Sequence, residues 1–156
     1  MTPMRWTEAM SVGLPELDDD HKGLVDLINR LGDASREGHR SEPLRQALMQ
    51  LMRYTEAHFG REQKVLSVCG YPELPHHIEE HGAFVEKIQE VARRFDADPE
   101  GTAEEIRRDL VEFLRDWLNH HIMIEDMAYR PYVDKKPAEA SKAAQAFRGA
   151  EIWWSR

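Results

Sequence analysis

The chain of 156 residues has one cysteine, Cys69, few glycines and prolines, and no long hydrophobic segment. A single cysteine cannot form an internal disulfide, so the fold must be stable without one. No apolar run approaches the roughly 20 residues that span a bilayer. Residues 1–12 also lack the charge, apolar run and cleavage site of a signal peptide. These absences predict a cytoplasmic protein without a membrane-inserted segment.

Positive charge is scarce relative to negative charge. The 21 Lys and Arg residues and the 29 Asp and Glu residues give a formal net charge of -8. Nucleic acids and anionic membrane surfaces attract basic patches, so this charge argues against both as partners. The length predicts a single folded domain over residues 1–136, followed by a short alanine-rich tail at 137–156.

Apolar residues recur at steps of three and four along most of the chain, which is typical of amphipathic helices. The first helix is predicted at about 18–37, the second after Ser41 to about 69, and the third at about 75–95. The fourth is predicted to begin at Thr102, where Thr102 and Glu105 fit a capping box. Short connections between four comparable helices predict an all-α, antiparallel, up-down-up-down four-helix bundle, with an N-terminal loop and a short C-terminal tail.

Five of the eight histidines occupy helix positions where the apolar pattern calls for a buried side chain. They are His21 on the first helix, His58 on the second, His77 and His81 on the third, and His121 on the fourth. Glu62 continues the face of His58, four residues later. In an antiparallel bundle, the start of the first and third helices lies level with the end of the second and fourth. These side chains are therefore predicted to converge.

A cluster of buried imidazoles predicts a metal centre, because buried ionisable groups are costly unless they are paired or bind a metal. Imidazole is a good ligand for iron, zinc and copper, and five imidazoles exceed what one tetrahedral zinc ion takes. Glu62 and Asp126 could each bridge two metals, which favours two irons. Asp126 follows His121 by five residues, about 140° away on a regular helix, so we predict a break, kink or π-bulge between them.

The order of these residues resembles the bacterial hemerythrins, over residues 6 to about 133. The shared fragments are Trp6 with Ser11-Val12-Gly13, Asp18-x-x-His21, His58-Phe59-x-x-Glu62, Tyr71-Pro72, His77-x-x-x-His81-x-x-Phe84, and Trp117-Leu118-x-x-His121-Ile122-x-x-x-Asp126-x-x-Tyr129. The chain departs from the family at Asp20 and Gln63, where the family often has Gln and Glu.

The resemblance implies a division of the ligands between two iron ions. One iron would be bound by His77, His81 and His121. The other would be bound by His21 and His58, and would keep one coordination position open. Glu62 and Asp126 would bridge the two irons, together with an oxo or hydroxo group. His120 and Glu125 are the alternatives to His121 and Asp126. His76 and His120 are predicted to point away by helix geometry, and His39 is predicted to lie in the loop between the first two helices.

The implied function is reversible binding of dioxygen, in an oxygen carrier, store or supplier rather than an enzyme. An oxygen-consuming enzyme is the candidate recipient, and the protein is expected to be a monomer or weak homo-oligomer. The candidate wall of the oxygen pocket is Leu24, Ile28, Trp117 and Leu118. A peroxidase, a nitric oxide reductase and an oxygen or redox sensor remain alternatives, because they would use the same ligands.

Overall fold

The computed structural model describes residues 2–33 and 41–147, and within these ranges all regular secondary structure is helical. The α-helices are α1 (Pro15–Asp33), α2 (Ser41–Val68), α3 (Leu74–Ala97), α4 (Pro99–His120), α5 (Met127–Lys135) and α6 (Pro137–Ala146). A short 3-10 helix spans Glu8–Met10. A π-helical segment at His121–Asp126, called the π segment below, joins α4 to α5. The predicted end of the first helix, near residue 37, lies outside the described residues.

Helices α1 to α4 form the predicted antiparallel bundle. Each packs against the next, and α1 also packs against α4, which closes the four helices around one core. The apolar face predicted for the third helix is buried along its whole length: His77, His81, Phe84, Ile88, Val91 and Phe95. The up-down-up-down bundle is therefore confirmed. No helix within the described ranges is both long and apolar enough to cross a membrane.

Helix α1 begins at Pro15, three residues earlier than predicted. The Asp18 backbone amide already donates to the Leu14 carbonyl oxygen at 2.9 Å, so Asp18 lies within the first turn. Its carboxylate accepts hydrogen bonds from the Ser11 hydroxyl at 2.6 Å and from the Val12 amide at 2.9 Å. Asp18 thereby fixes the N-terminal loop against the start of the helix.

The predicted start of the fourth helix at Thr102, with its Thr102–Glu105 capping box, is wrong. Helix α4 begins at Pro99, and the carboxylate of Asp98 accepts a hydrogen bond from the Gly101 amide at 3.2 Å. Proline suits the first helical position because its missing N–H would have no partner there. Asp98 therefore caps the N-terminus of α4, directly after the end of α3 at Ala97.

The C-terminal tail contains a helix that covers one end of the bundle. Helix α6 packs on α2 and buries a small-residue face of Ala140, Ala143 and Ala144. These alanines join Tyr129 and Val133 in a second apolar cluster, separate from the main core. The division of the chain at residue 136 stays a prediction, and Trp153 and Trp154 lie outside the described residues.

Candidate metal centre

The seven predicted ligands meet at one end of the bundle, and each is at most 2% exposed. They form two overlapping groups, within each of which one ligand atom per residue lies within 4.8 Å of the others. The first group is His21, His58, Glu62, His121 and Asp126, and the second is Glu62, His77, His81 and His121. The four helices bring their histidines together at one end of the bundle, as the positions of these histidines along the predicted helices indicated.

The carboxylate of Glu62 lies between two sets of imidazoles, and each oxygen faces a different set. Oε1 lies 2.5 Å from Nε2 of His77 and 2.9 Å from Nε2 of His81. Oε2 lies 3.3 Å from Nε2 of His58 and 3.5 Å from Nε2 of His21. This is the arrangement of a carboxylate that can bridge two ions.

Asp126 faces both sets in the same way, and the π segment makes this possible. Its Oδ1 lies 3.3 Å from Nε2 of His77 and 3.2 Å from Nε2 of His121, while Oδ2 lies 3.0 Å from Nε2 of His21. The Met127 amide donates to the carbonyl oxygen five residues back, so residues five apart share a face. The predicted irregularity between His121 and Asp126 is confirmed as a π-helical turn.

The buried carboxylates control the protonation of the imidazoles around them. Burial lowers the pKa of His58, but the charges of Glu62 and Asp20 and their hydrogen bonds outweigh it and raise this pKa to about 10. Burial also lowers the pKa of His77, but the hydrogen bonds and charges of Asp126 and Glu62 outweigh it and raise this pKa to about 10. At His81 burial prevails and lowers the pKa to about 4. Burial raises the pKa of Glu62, but the charges of His58 and His121 and the hydrogen bonds from surrounding imidazoles outweigh it and hold this pKa well below its usual value.

Several polar atoms at the centre make no well-directed hydrogen bond among the described residues, although other polar atoms lie close to them. They are Nε2 of His121 and both carboxylate oxygens of Asp126, all buried. Such atoms are costly unless something else satisfies them. Imidazole and carboxylate donors together suit a transition metal such as iron, so the residues present fit a metal centre.

Aromatic rings hold two of the imidazoles in place. Trp117 stacks on His121, with ring centroids 4.4 Å apart and planes 14° apart. Phe59 stacks on His81, with centroids 3.9 Å apart and planes 8° apart. Sequence reasoning did not assign Phe59 a role, although its place three residues before Glu62 puts it near the same helix face. The hydroxyl of Tyr129 donates to Oε2 of Glu62 at 3.0 Å.

The four candidate wall residues lie in the main apolar core or pack against it. Leu24, Ile28 and Leu118 are each at most 2% exposed and belong to the main core, and Trp117 packs against that core while partly exposed. Their contact with dioxygen stays a prediction.

The comparisons with known proteins agree with this arrangement. Residues 12–133 match the family model described as the hemerythrin HHE cation binding domain. The chain belongs to the hemerythrin family. It is 35% identical over 132 residues to a bacteriohemerythrin of Methylococcus capsulatus, covering 84% of this chain and 97% of the relative. It is 28% identical over 142 residues to a bacteriohemerythrin of Pseudomonas aeruginosa, covering 91% and 89% of the two chains.

A solved structure of this family shares the fold. The crystal structure of a wild-type hemerythrin aligns with a TM-score of 0.69 at 27% sequence identity, covering 85% of this chain and 98% of the other. The resemblance stated from the ordered motifs is therefore confirmed, together with the four-helix bundle that it implied.

The two histidines that neighbour candidate ligands in the sequence, His76 and His120, point away from the centre. The side chains of His76 and His120 are 50% and 59% exposed, and both approach the carboxylate of Glu125, at 3.4 Å and 3.5 Å. Neither histidine nor Glu125 belongs to the two ligand groups. The prediction for His39 lies outside the described residues.

We expect Asp126→Asn to weaken metal binding and Glu125→Gln to leave it unchanged. The asparagine keeps one oxygen but loses the charge, and its amide nitrogen cannot serve as the second bridging atom. Outer contacts of a metal centre are worth about 10–100-fold in affinity, so a lost bridging carboxylate should cost at least as much. Calorimetric titration of metal-free protein measures both variants, and equal loss in the two would contradict the assignment of Asp126.

Proposed function

We propose that this hemerythrin binds two iron ions at the seven-residue centre and binds dioxygen reversibly there, as an oxygen carrier, store or supplier. The observation that carries the proposal is the position of Glu62. Its two carboxylate oxygens face two different sets of imidazoles, at 2.5 Å and 2.9 Å on one side and 3.3 Å and 3.5 Å on the other. A centre for a single ion does not need a carboxylate presented in this way.

His121 belongs to both ligand groups, but its Nε2 faces the same carboxylate oxygens as His77, 3.3 Å from Oε1 of Glu62 and 3.2 Å from Oδ1 of Asp126. The imidazoles therefore divide unequally between the two sides of the carboxylates. We assign His77, His81 and His121 to one iron, and His21 and His58 to the other. The side with two imidazoles therefore has room for an exogenous ligand. When bound, the iron pair supplies the open coordination position and the electrons that dioxygen binding requires. The protein chain supplies the geometry and the surroundings.

The surroundings favour reversible binding because they exclude water from the centre. We propose that Leu24, Ile28, Trp117 and Leu118 form the apolar wall on the side of the open position. An apolar wall raises the barrier for water and external reductants to reach the bound ligand, so that the ligand leaves unchanged. Tyr129 holds Oε2 of Glu62 by its hydroxyl and so fixes the bridging carboxylate.

The rest of the molecule is compatible with this role. The net charge of -8 supports a protein that does not bind nucleic acid or anionic lipid. We propose that it acts in the cytoplasm, as a monomer or weak homo-oligomer, and delivers dioxygen to an oxygen-consuming enzyme.

An optical experiment tests the function directly. The protein is loaded with iron, reduced and then exposed to air, and its iron content is measured in parallel. We expect two irons per chain and a visible charge-transfer band that appears with air and disappears under vacuum. Full iron loading without such a band would contradict reversible dioxygen binding. Rapid turnover with peroxide or nitric oxide, without a stable band, would indicate the enzymatic alternatives instead.

A further inference from the structure

We infer that Asp20 and Gln63 are positioning residues that give the two metal positions different affinities and reduction potentials. Each side chain contacts Nδ1, the ring nitrogen that faces away from the centre, of one imidazole, and the two side chains differ in charge. A carboxylate lies behind His58 and a neutral amide lies behind His81. The ion on the His58 side then receives more electron density and is harder to reduce. This inference rests on the proposed two-ion centre.

Asp20 is fixed tightly behind His58. Its Oδ2 lies 3.0 Å from Nδ1 of His58, while Nε2 of the same ring faces the centre, 3.3 Å from Oε2 of Glu62. Arg61 donates to both carboxylate oxygens of Asp20 at 2.6 Å, which holds the carboxylate in this orientation. The hydroxyl of Tyr54 donates to the Asp20 backbone carbonyl at 3.0 Å and fixes the main chain as well.

Gln63 occupies the equivalent place behind His81. The amide nitrogen Nε2 of Gln63 lies 2.9 Å from Nδ1 of His81, and Nε2 of the His81 ring lies 2.9 Å from Oε1 of Glu62. When Nε2 binds a metal, Nδ1 carries the ring proton and donates it to a hydrogen bond. A glutamine can present its amide oxygen to this N–H by rotating the amide group, but it carries no charge.

Two of the other three imidazoles have no comparable contact at Nδ1. The Nδ1 atoms of His21 and His121 are buried without a hydrogen-bond partner among the described residues. Neither ring is therefore held from behind in the way that His58 and His81 are. A hydrogen bond to a carboxylate makes a ligating imidazole more basic than one to an amide, and such outer contacts change metal affinity by about 10–100-fold. The charge behind the imidazole thus separates the two positions.

Two isosteric substitutions test the inference, because each exchanges an acid for an amide or the reverse. Asp20→Asn removes the charge behind His58, and Gln63→Glu adds one behind His81. Cobalt titration of the metal-free variants gives the number of ions bound and their two affinities. Proton NMR of the cobalt-loaded protein follows the shifted Nδ1–H signals of the two rings, and potentiometric titration of the iron-loaded protein gives the two reduction potentials.

We expect each substitution to act on one position. Asp20→Asn should weaken one cobalt site by about 10–100-fold, move the Nδ1–H signal of His58 and raise one reduction potential. Gln63→Glu should move the signal of His81 and lower the other potential. The double variant should reverse the order of the two potentials. Gln50→Glu is the charge control for Gln63→Glu, since this exposed residue on α2 adds the same single negative charge and belongs to neither ligand group.

The outcomes separate this inference from the proposed function. If wild-type protein binds fewer than two cobalt ions, both are overturned. Suppose instead that the protein binds two ions, but that a substitution shifts both potentials together, or shifts them only as much as Gln50→Glu does. The two-ion centre would then stand, and the inference that the two metal positions differ would be overturned. The inference would be supported if each variant changed the affinity of one metal site and moved the Nδ1–H signal of one imidazole.

Discussion

Glu62→Gln is expected to reduce metal uptake from two ions per chain to at most one. Glu62 belongs to both ligand groups, and its two oxygens face different groups. Glutamine of the same size keeps one oxygen for one side, but presents a non-coordinating amide nitrogen to the other. The variant also loses the negative charge that compensates two metal cations. We expect the second ion to bind more than ~100-fold more weakly, which exceeds the effect of an outer contact.

A control variant distinguishes the loss of the bridging carboxylate of Glu62 from the loss of any partly buried acid on the same helix. Glu56 lies on the same helix, and burial raises the pKa of its carboxyl to about 7. It belongs to neither ligand group, so Glu56→Gln should retain two ions. Iron content and calorimetric titration measure both variants, and circular dichroism verifies that each remains helical. Two tightly bound ions in Glu62→Gln would show that this carboxylate does not bridge.

Leu118→Ala is expected to destabilise the fold and to shorten the lifetime of the oxygenated form. Leu118 is 1% exposed and lies one helical turn before His121. Removing three buried carbons from a packed core costs the transfer free energy and leaves a cavity, typically about 3 kcal/mol together. Because this cavity adjoins the metal centre, water gains access to the bound ligand. Thermal unfolding measures the first effect, and the decay of the visible band in air measures the second.

Leu110→Ala provides the control for this prediction. Leu110 is also 1% exposed, in the same core and on the same helix. It precedes His121 by eleven residues, about 16 Å along the helix axis. Its replacement should cost similar stability without changing the decay of the oxygenated form. If both variants decay at the same accelerated rate, the effect reflects a loosened fold, and Leu118 does not act as a pocket wall.

The residues that reach the centre could be predicted because the buried face of each helix has apolar residues at regular steps of three and four. The stripe from Phe84 to Phe95 identifies the inward face of α3, and His77 and His81 extend that stripe toward the start of the helix. The five-residue spacing between His121 and Asp126 was incompatible with a regular helix. Only an irregular turn could bring both side chains inward, and the π segment provides it.

The start of α4 could not be predicted in the same way. The segment before Thr102 contains proline and glycine, which end helices in some positions and begin them in others. Asp98 decides the outcome because its carboxylate caps the Gly101 amide, and this contact depends on the backbone angles of the turn. The helical tail α6 was also missed, because small alanines carry little periodic signal until a partner surface buries them.

The sequence by itself determined the four-helix architecture, the level of the centre and the seven residues that meet there. The architecture, the level and six of the seven residues follow from which face of a single helix is apolar and from how far along the chain each histidine lies. Asp126 was predicted from the family resemblance and from the irregular turn that it would require. Only the tertiary structure decided which oxygen of Glu62 faces which imidazole, and that Asp20 and Gln63 lie behind His58 and His81. Contacts between atoms of different helices depend on helix rotation and side-chain rotamers, and the residue pattern of one chain does not specify either.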